Sequence, residues 1–343
     1  MSLNPETFAA SVADYLAASF EVAEVLVDNV VKASVGWSHQ SWLFDAHWRG
    51  GEAPVTRGLC LRLDPGTSLL RAETDLAQQF DVLKCLAGTS LPTPTPLVLE
   101  KDDSFLGGQF LIMDKLPGVC PSPWSPDGAA FYHDAAGRGK LPLSFTDTLV
   151  ALHTLDWEAA GLAFLKAPNA EDAFALTEVR KWQELINQTD FAGHPVLTDL
   201  LCWLTENAPS PTRLSLVHGA YRTGNLLIDD DQISGVLDWE LQVIGDPLYD
   251  VAYVLSALNR AGTLLSDVVE QDQFLARYQA GTQIDVDLQI CTYYQALYTL
   301  RTAAFWISAH DLYRSRRSDD LRLARTEWSI PVVLDQAAEL LNY

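Results

Sequence analysis

The stretch Leu214–Glu240 reads LSLVHGAYRTGNLLIDDDQISGVLDWE. Leu214, Leu216 and Val217 form a short apolar run halted at His218-Gly219, the pattern of a buried strand ending in a turn. Leu226-Leu227-Ile228 reads as a second strand, Asp229-Asp230-Asp231 as a polar turn, and Ile233 to Trp239 as a third strand. Asn225 closes the first loop, and Asp238 interrupts the apolar end of the third strand. A carboxylate there is costly to bury unless a positive group meets it. An Asn oxygen and an Asp carboxylate joined through one hairpin make a hard-oxygen site suited to Mg²⁺ with nucleotide phosphates.

The rest of the chain sets bounds on that reading. Its 343 residues, 48% of them apolar, are enough for two lobes with a sizeable core. Lys and Arg number 23 against 45 Asp and Glu, a net charge of −22. Nucleic-acid binding by counterion release needs a basic face, so nucleic acid is not expected as a partner. Arg314, Arg316 and Arg317 are followed at once by Asp319-Asp320 and read as a solvated helix end. The five cysteines have no metal-ligand spacing, which predicts reduced thiols and a cytoplasmic protein. The N-terminus lacks a signal-peptide pattern, and no apolar run approaches the ~20 residues needed to span a bilayer, so no membrane is expected. Monomer and dimer are both compatible with the sequence.

Asn4-Pro5-Glu6 predicts a helix start, with Phe8, Val12, Tyr15 and Leu16 following at helical spacing. Gly36-Trp37-Ser38-His39-Gln40-Ser41 leads into a strand over Trp42 to Trp48. A serine-hydrolase G-x-S-x-G reading fails at Gln40. In Leu59-Cys60-Leu61-Arg62-Leu63 the leucines share one face, and Cys60 and Arg62 share the other. A helix is predicted over Ser68 to Ala87, ended by Gly88, with Gln79 on the edge of its apolar stripe. Phe110 to Met113 is a strand, with a linker from Asp114 to Gly118. Cys120 to Leu143 is rich in Pro and Gly and reads as a long irregular segment; its Gly137-Arg138-Gly139-Lys140-Leu141 lacks the residues of a P-loop. Helices follow over 145–157, 171–188, 196–207 and 250–258. The aromatics of Cys291 to Ser315 read either as core or, with Arg301, as the wall of an apolar pocket.

Together, His218-Gly219, Asn225, Asp238-Trp239 and the downstream Gly245-Asp246-Pro247-Leu248-Tyr249-Asp250-Val251-Ala252 resemble the motifs of the aminoglycoside phosphotransferase and choline kinase family. Two linked motifs at matching separations are far more specific than one short motif. The flavour of Val217-His218-Gly219, Leu237-Asp238-Trp239-Glu240 and Leu61-Arg62 is most similar to the branch related to kinase-like domains fused to acyl-CoA dehydrogenases. The resemblance implies an α+β, bilobal protein-kinase-like fold. A nucleotide-binding lobe (1–113) would have an antiparallel sheet and a prominent helix. A larger, mainly helical lobe (114–343) would carry catalysis and the acceptor site. It also implies ATP and Mg²⁺ as cofactors and a small-molecule acceptor with a hydroxyl group; the branch favours an apolar or aromatic one, such as a hydroxyacyl compound or aromatic alcohol, while the acidic surface of the chain favours an aminoglycoside.

By the same resemblance, Asn225 and Asp238 would hold the metal ion, with His218 at the head of the catalytic loop. The turn at Ser38 would cover the phosphates, a role that competes with an ordinary hairpin turn. Arg62 stands where the family has a phosphate-binding lysine, and Gln79 where it has the glutamate that pairs with that lysine. Glu73 is an alternative partner, and Arg62 can also be read as a surface arginine. Met113 and Asp114 would form the hinge that contacts adenine through backbone groups. Asp246 and Asp250 would brace the loop, and His153 reads as a core histidine.

The chain departs from the pattern at Ala220, where the family has its catalytic-base Asp. Alanine accepts no proton. Two readings follow: a kinase with a relocated base, Glu240 first and Tyr221 second, or a kinase-fold protein that binds nucleotide or ligand as a regulator or scaffold. An active enzyme with one disabling substitution is disfavoured, because Arg62 and Gln79 depart from the pattern too.

Overall fold

The computed structural model describes residues 4–33, 39–50, 53–64, 75–167, 174–211, 213–256 and 263–341. The chain divides into two compact units: Met1–Gly118 together with Ser234–Glu240, and Val119–Ile233 together with Leu241–Tyr343. Ser234–Glu240 therefore belongs with the first unit despite its late place in the sequence.

In the first unit, Asn4 and Thr7 form a reciprocal capping box that starts α1 (Pro5–Ser19). Strands β1 (Val25–Lys32), β2 (Gln40–Gly50), β3 (Ala53–Leu63), β4 (Pro96–Glu100) and β5 (Phe110–Asp114) make one antiparallel sheet in the order β1-β2-β3-β5-β4. Phe8, Val12 and Leu16 of α1 bury one face of this sheet with Trp42, Phe44, Leu59, Leu61 and Leu63. Phe8 stacks on Trp42 with ring centroids 4.4 Å apart. The pleat sends Cys60 and Arg62 to the other face. Helix α2 (Leu76–Leu86) is capped by Asp75 and packs against β4 and β5. The helix predicted from Ser68 is thus described only from this cap onward; its earlier residues, Glu73 among them, lie outside the described residues.

The second unit is mainly helical. It contains α3 (Pro126–Gly137), α4 (Lys140–Thr154), α5 (Phe174–Asn187), α6 (Pro195–Glu206), α7 (Leu248–Leu255), α8 (Gln271–Thr282), α9 (Leu288–Arg314), α10 (Leu321–Ala324) and α11 (Ser329–Leu340). Short strands β6 (Ser215–Val217) and β9 (Val243–Gly245) pair antiparallel, and β7 (Leu226–Asp229) leads through a hairpin into β8 (Gln232–Val236), whose residues from Ser234 onward belong to the first unit. The β7–β8 turn is Asp230-Asp231, with φ of 47° and 58°, the paired positive values of a tight hairpin. Helix α9, 27 residues long, is the spine: Tyr294, Tyr298 and Leu300 are fully buried along it, and α5, α7 and α11 pack against it.

Two expectations need correction. Cys120 to Leu143 is not irregular. The Ser125 hydroxyl accepts from the Gly128 amide, Pro126 sits in the first turn, and the Ala-rich stretch beyond them propagates α3. Gly139, at φ 85°, lets the chain pass straight into α4. The third strand also stops early, at Val236; Asp238 lies beyond it with φ 67°. Among the described residues, no helix is long and apolar enough to cross a membrane.

Candidate functional site

The first unit assembles one half of the predicted site around Arg62. The register of β2 and β3 sets Arg62 opposite Ser41, two residues from His39. Its terminal nitrogen donates to Asp238 Oδ1 at 2.9 Å and to His39 Nδ1 at 3.1 Å, and lies 3.5 Å from Glu240 Oε2. Glu240 Oε2 is also 3.4 Å from His39 Nδ1. Burial alone would lower the Arg62 pKa; the Asp238 and Glu240 carboxylates outweigh it and raise the pKa above the ordinary value. The guanidinium is therefore a retained cation with a mostly buried side chain. The positive φ of Asp238, tolerated better by Asp than by most residues, turns its carboxylate out of the strand pattern.

Gln79 is buried, but it does not serve as the partner of Arg62. Its amide nitrogen has no hydrogen-bond partner among the described residues, and neither do Arg62 Nε and His39 Nε2. Met113 lies within β5. The Asp114 amide donates to Thr95 O at 2.9 Å, and its carboxylate takes a two-pronged contact from Arg57 at 2.6 and 3.0 Å. The expected nucleobase contact through the Asp114 amide is therefore already occupied within the sheet. Ser38 lies outside the described residues.

The second unit holds the loop that begins at His218. Gly219 has φ 81°, and a Cβ there would stand 2.6 Å from Leu241 O, so only glycine fits. The Asp250 carboxylate accepts from the His218 amide at 2.7 Å and the Gly219 amide at 2.8 Å. It also receives His153 Nε2 at 3.2 Å, and His153 Nδ1 stands 2.7 Å from the Tyr278 hydroxyl. An ionised carboxylate only accepts, so His153 carries its proton on Nε2 and Nδ1 accepts from Tyr278. Burial opposes the charge on Asp250, yet the contacts from His153 and His218 hold its pKa below the ordinary carboxylate value. Asp250 thus braces the loop as expected. Asp246 does not: it accepts from the Leu248 amide and the Tyr294 hydroxyl, both at 2.9 Å, and its pKa is raised by burial.

A second brace was not foreseen as one. Arg301, on α9, donates to Gly219 O and lies over the rings of Tyr298, Tyr253 and Phe305, 4.2, 5.1 and 5.9 Å from their centroids. The only available sequence signal was a cation among aromatics, and that pointed to a pocket wall. The His218 Nδ1 accepts from the Ala220 amide at 3.2 Å, and Asn225 Nδ2 donates to Ala220 O at 2.8 Å. With its NH₂ committed there, Asn225 keeps its Oδ1 as an acceptor of the kind a hard cation takes. Tyr221 is fully buried and donates to Phe145 O at 2.7 Å; burial pushes its pKa well above the usual value. It is thereby removed as a substitute base. Among the described residues, no group of three or more His, Cys, Asp or Glu side chains is placed to hold a metal ion.

Comparison with known proteins bears on the family and the fold of the chain. A family model described as "Phosphotransferase enzyme family" matches residues 30–289. Acyl-CoA dehydrogenase family member 10 of Mus musculus is 30% identical over 200 residues, 57% of this chain and 18% of that protein. This chain spans 18% to 38% of the lengths of the curated acyl-CoA dehydrogenase relatives that it matches. A provisionally named aminoglycoside phosphotransferase of Ralstonia eutropha has a similar structure, with TM-score 0.66, 20% identity and coverage of 91% and 92% of the two chains. A thermostable mutant of an aminoglycoside phosphotransferase, in ternary complex with ADP and hygromycin B, gives TM-score 0.56 and 18% identity, covering 96% and 98%. These likenesses bear out the kinase-like α+β fold.

Proposed function

We propose a function from one premise: the chain belongs to the phosphotransferase enzyme family. It binds ATP and transfers a phosphoryl group to a hydroxyl of a small molecule. The observation that supports this most directly is the buried Arg62 cation held against the Asp238 carboxylate. Phosphoryl transfer is stabilised mostly by positioning and charge, and these groups are one cation for phosphate oxygens and one carboxylate for a metal ion. The solved relative bound to ADP supports the nucleotide. In this reading the first unit is the nucleotide-binding lobe, as expected for 1–113, and the second carries the acceptor, as expected for 114–343.

Mg²⁺, when bound, supplies charge neutralisation on the phosphates. By the family resemblance, Asn225 of the second unit would hold it through Oδ1 and Asp238 of the first through its carboxylate, both hard oxygens. Arg62 would give up its contact with Asp238 to hold phosphate oxygens. His218 positions the loop through the Ala220 amide. Residue 220 contributes no proton acceptor, and a positioned base is worth about 10²–10⁴ in rate. Glu240, within ion-pair distance of Arg62 and His39, is the carboxylate that takes over the proton. The acyl-CoA dehydrogenase relatives support a hydroxyacyl or aromatic alcohol over an aminoglycoside as acceptor. Ala220 itself favours a second reading, nucleotide binding without turnover.

Melting curves with Mg²⁺ and ATP test the first step. Saturating ligand at ~100 Kd adds about 2.7 kcal/mol of stability. Asp238→Ala is expected to abolish that shift, and no shift in the unmutated chain overturns both readings. Where nucleotide binds, Ala220→Asp is expected to raise ATP consumption by about 10²–10⁴ if the remaining machinery is intact. Turnover in the unmutated chain that is lost in Glu240→Gln, with nucleotide binding retained, supports the relocated base; no turnover at all selects the second reading.

A further inference from the structure

Between Ala220 and Asn225 the loop of the second unit carries one charged side chain, Arg222. The residues around it are anchored one by one. The Tyr221 hydroxyl donates to Phe145 O at 2.7 Å, the Tyr132 hydroxyl to Thr223 O at 3.2 Å, and Cys120 Sγ to Gly224 O at 3.2 Å. The Asn225 amide closes a short turn on Arg222 O at 2.9 Å. Arg222 and Asn225 are therefore held in a fixed relation, at the two ends of one turn.

Two observations single out the guanidinium. Gly224 lacks the left-handed φ that usually calls for glycine, yet a Cβ there would stand 2.3 Å from Arg222 Nη1 and 3.0 Å from Cζ. The missing side chain is the seat of the guanidinium, which folds back along the loop and rests on the residue before Asn225. The second observation is that this cation is uncommitted. With 45 acidic residues against 23 basic ones, carboxylates are plentiful, and Arg57, Arg138 and Arg277 each grip one through two nitrogens. Arg222 is half-buried and grips none among the described residues. Unlike Nε of Arg62, its nitrogens are not sealed from solvent, so they stay open to a ligand. A planar guanidinium with free N–H groups suits the paired oxygens of an anion.

We propose that Arg222 is a substrate-contacting residue that holds the oxygens of the terminal phosphoryl group of the nucleotide. The assignment rests on the kinase reading above and adds the residue by which the loop recognises the third phosphate. Asn225, whose Oδ1 that reading offers to the metal ion, lies on the same turn. A positioned base is worth about 10²–10⁴ in rate, and an arginine on the transferring group about 10³–10⁵. A loop with alanine at 220 and arginine at 222 lacks the smaller contribution and keeps the larger.

The test is calorimetric titration of the full chain in Mg²⁺ with ADP and with the non-hydrolysable AMP-PNP. Its readout, which needs no turnover, is the ratio of the two affinities. The unmutated chain is expected to bind AMP-PNP about tenfold or more tighter than ADP. Arg222→Met keeps the stem and is expected to weaken AMP-PNP about tenfold while leaving ADP within about twofold. Gly224→Ala fills the seat and is expected to lower the ratio in the same direction, with no further loss when the two substitutions are combined. A ratio unchanged in Arg222→Met overturns the assignment. So does an equal fall in both affinities, the mark of a merely structural arginine. Binding of ADP by the unmutated chain with no preference for AMP-PNP overturns the role of Arg222 alone, whereas failure to bind either nucleotide overturns the kinase reading itself.

Discussion

The Arg62 cluster of the first unit and the His218 loop of the second solve opposite problems. Around the loop, nearly every polar atom has a protein partner: the His218 and Gly219 amides on Asp250, the Gly219 carbonyl on Arg301, the Ala220 carbonyl on Asn225. In the first unit, three buried nitrogens, His39 Nε2, Arg62 Nε and Gln79 Nε2, lack partners among the described residues. The first arrangement fixes a backbone. The second holds buried donors that have no acceptor among the described residues. The braced loop and those unpaired donors thus lie in different units, on different side chains.

The largest effect expected from breaking this contrast is at Asp250. Removing one member of a buried charged network costs about 3–5 kcal/mol, because the partners stay buried and uncompensated. Asp250→Ala should lose that much in urea unfolding, with or without nucleotide. A loss under 1 kcal/mol would mean that the loop does not depend on this brace.

Arg301 comes next. A hydrogen bond to a charged group is worth about 1.5–3 kcal/mol, and the guanidinium also packs on three rings. Arg301→Met keeps most of the stem and should lose roughly that amount. Because Gly219 precedes Ala220 directly, the background should be the Ala220→Asp variant, where the expected outcome is a fall in kcat larger than the rise in KM. Equal changes in both would show that Arg301 acts on acceptor binding instead.

What could be read from the sequence follows from distance along the chain. His218, Gly219, Asn225 and Asp250 lie within 32 residues of one another, and their motif fixes type and spacing. The brace from Arg301 spans 82 residues and comes from a helix whose aromatics hide the role of its one buried cation. The Arg62–Asp238 contact spans 176 residues, and Gln79 was assigned as partner by analogy with a helix glutamate. It fails because the carboxylates of Ser234–Glu240 reach the guanidinium first. Helix α3 is hidden in the sequence because Pro and Gly ordinarily break helices, although Pro126 occupies the one turn where proline has no amide to lose.

Arg62→Met sharpens the comparison from the other side. It leaves Asp238, already partly solvated, to regain water but leaves Glu240 buried without its cation, so the apo protein should lose more than the ~1 kcal/mol of an exposed pair. The stabilisation by Mg²⁺ and ATP should disappear. In the second unit, removal of the Asp250 brace lowers stability and leaves nucleotide linkage intact. Retention of the nucleotide shift in Arg62→Met, or its loss in Asp250→Ala, would erase the distinction.

The smallest effect separates two aspartates within one motif by the sign of their pH dependence. The Asp250 pKa is depressed in the folded state, so its contribution is present above the ordinary value of 3.8 and is lost as pH falls through the folded value. The Asp246 pKa is raised by burial, so its contribution is full below 3.8 and is lost as pH rises through the folded value. The two windows lie on opposite sides of 3.8. Stability measured against pH should lose part of its fall above 3.8 in Asp246→Asn, and part of its acid-side fall below 3.8 in Asp250→Asn. If both variants changed the same limb, the two carboxylates would share one environment, and the assignment of Asp250 to the loop and Asp246 to Tyr294 and the start of α7 would not stand.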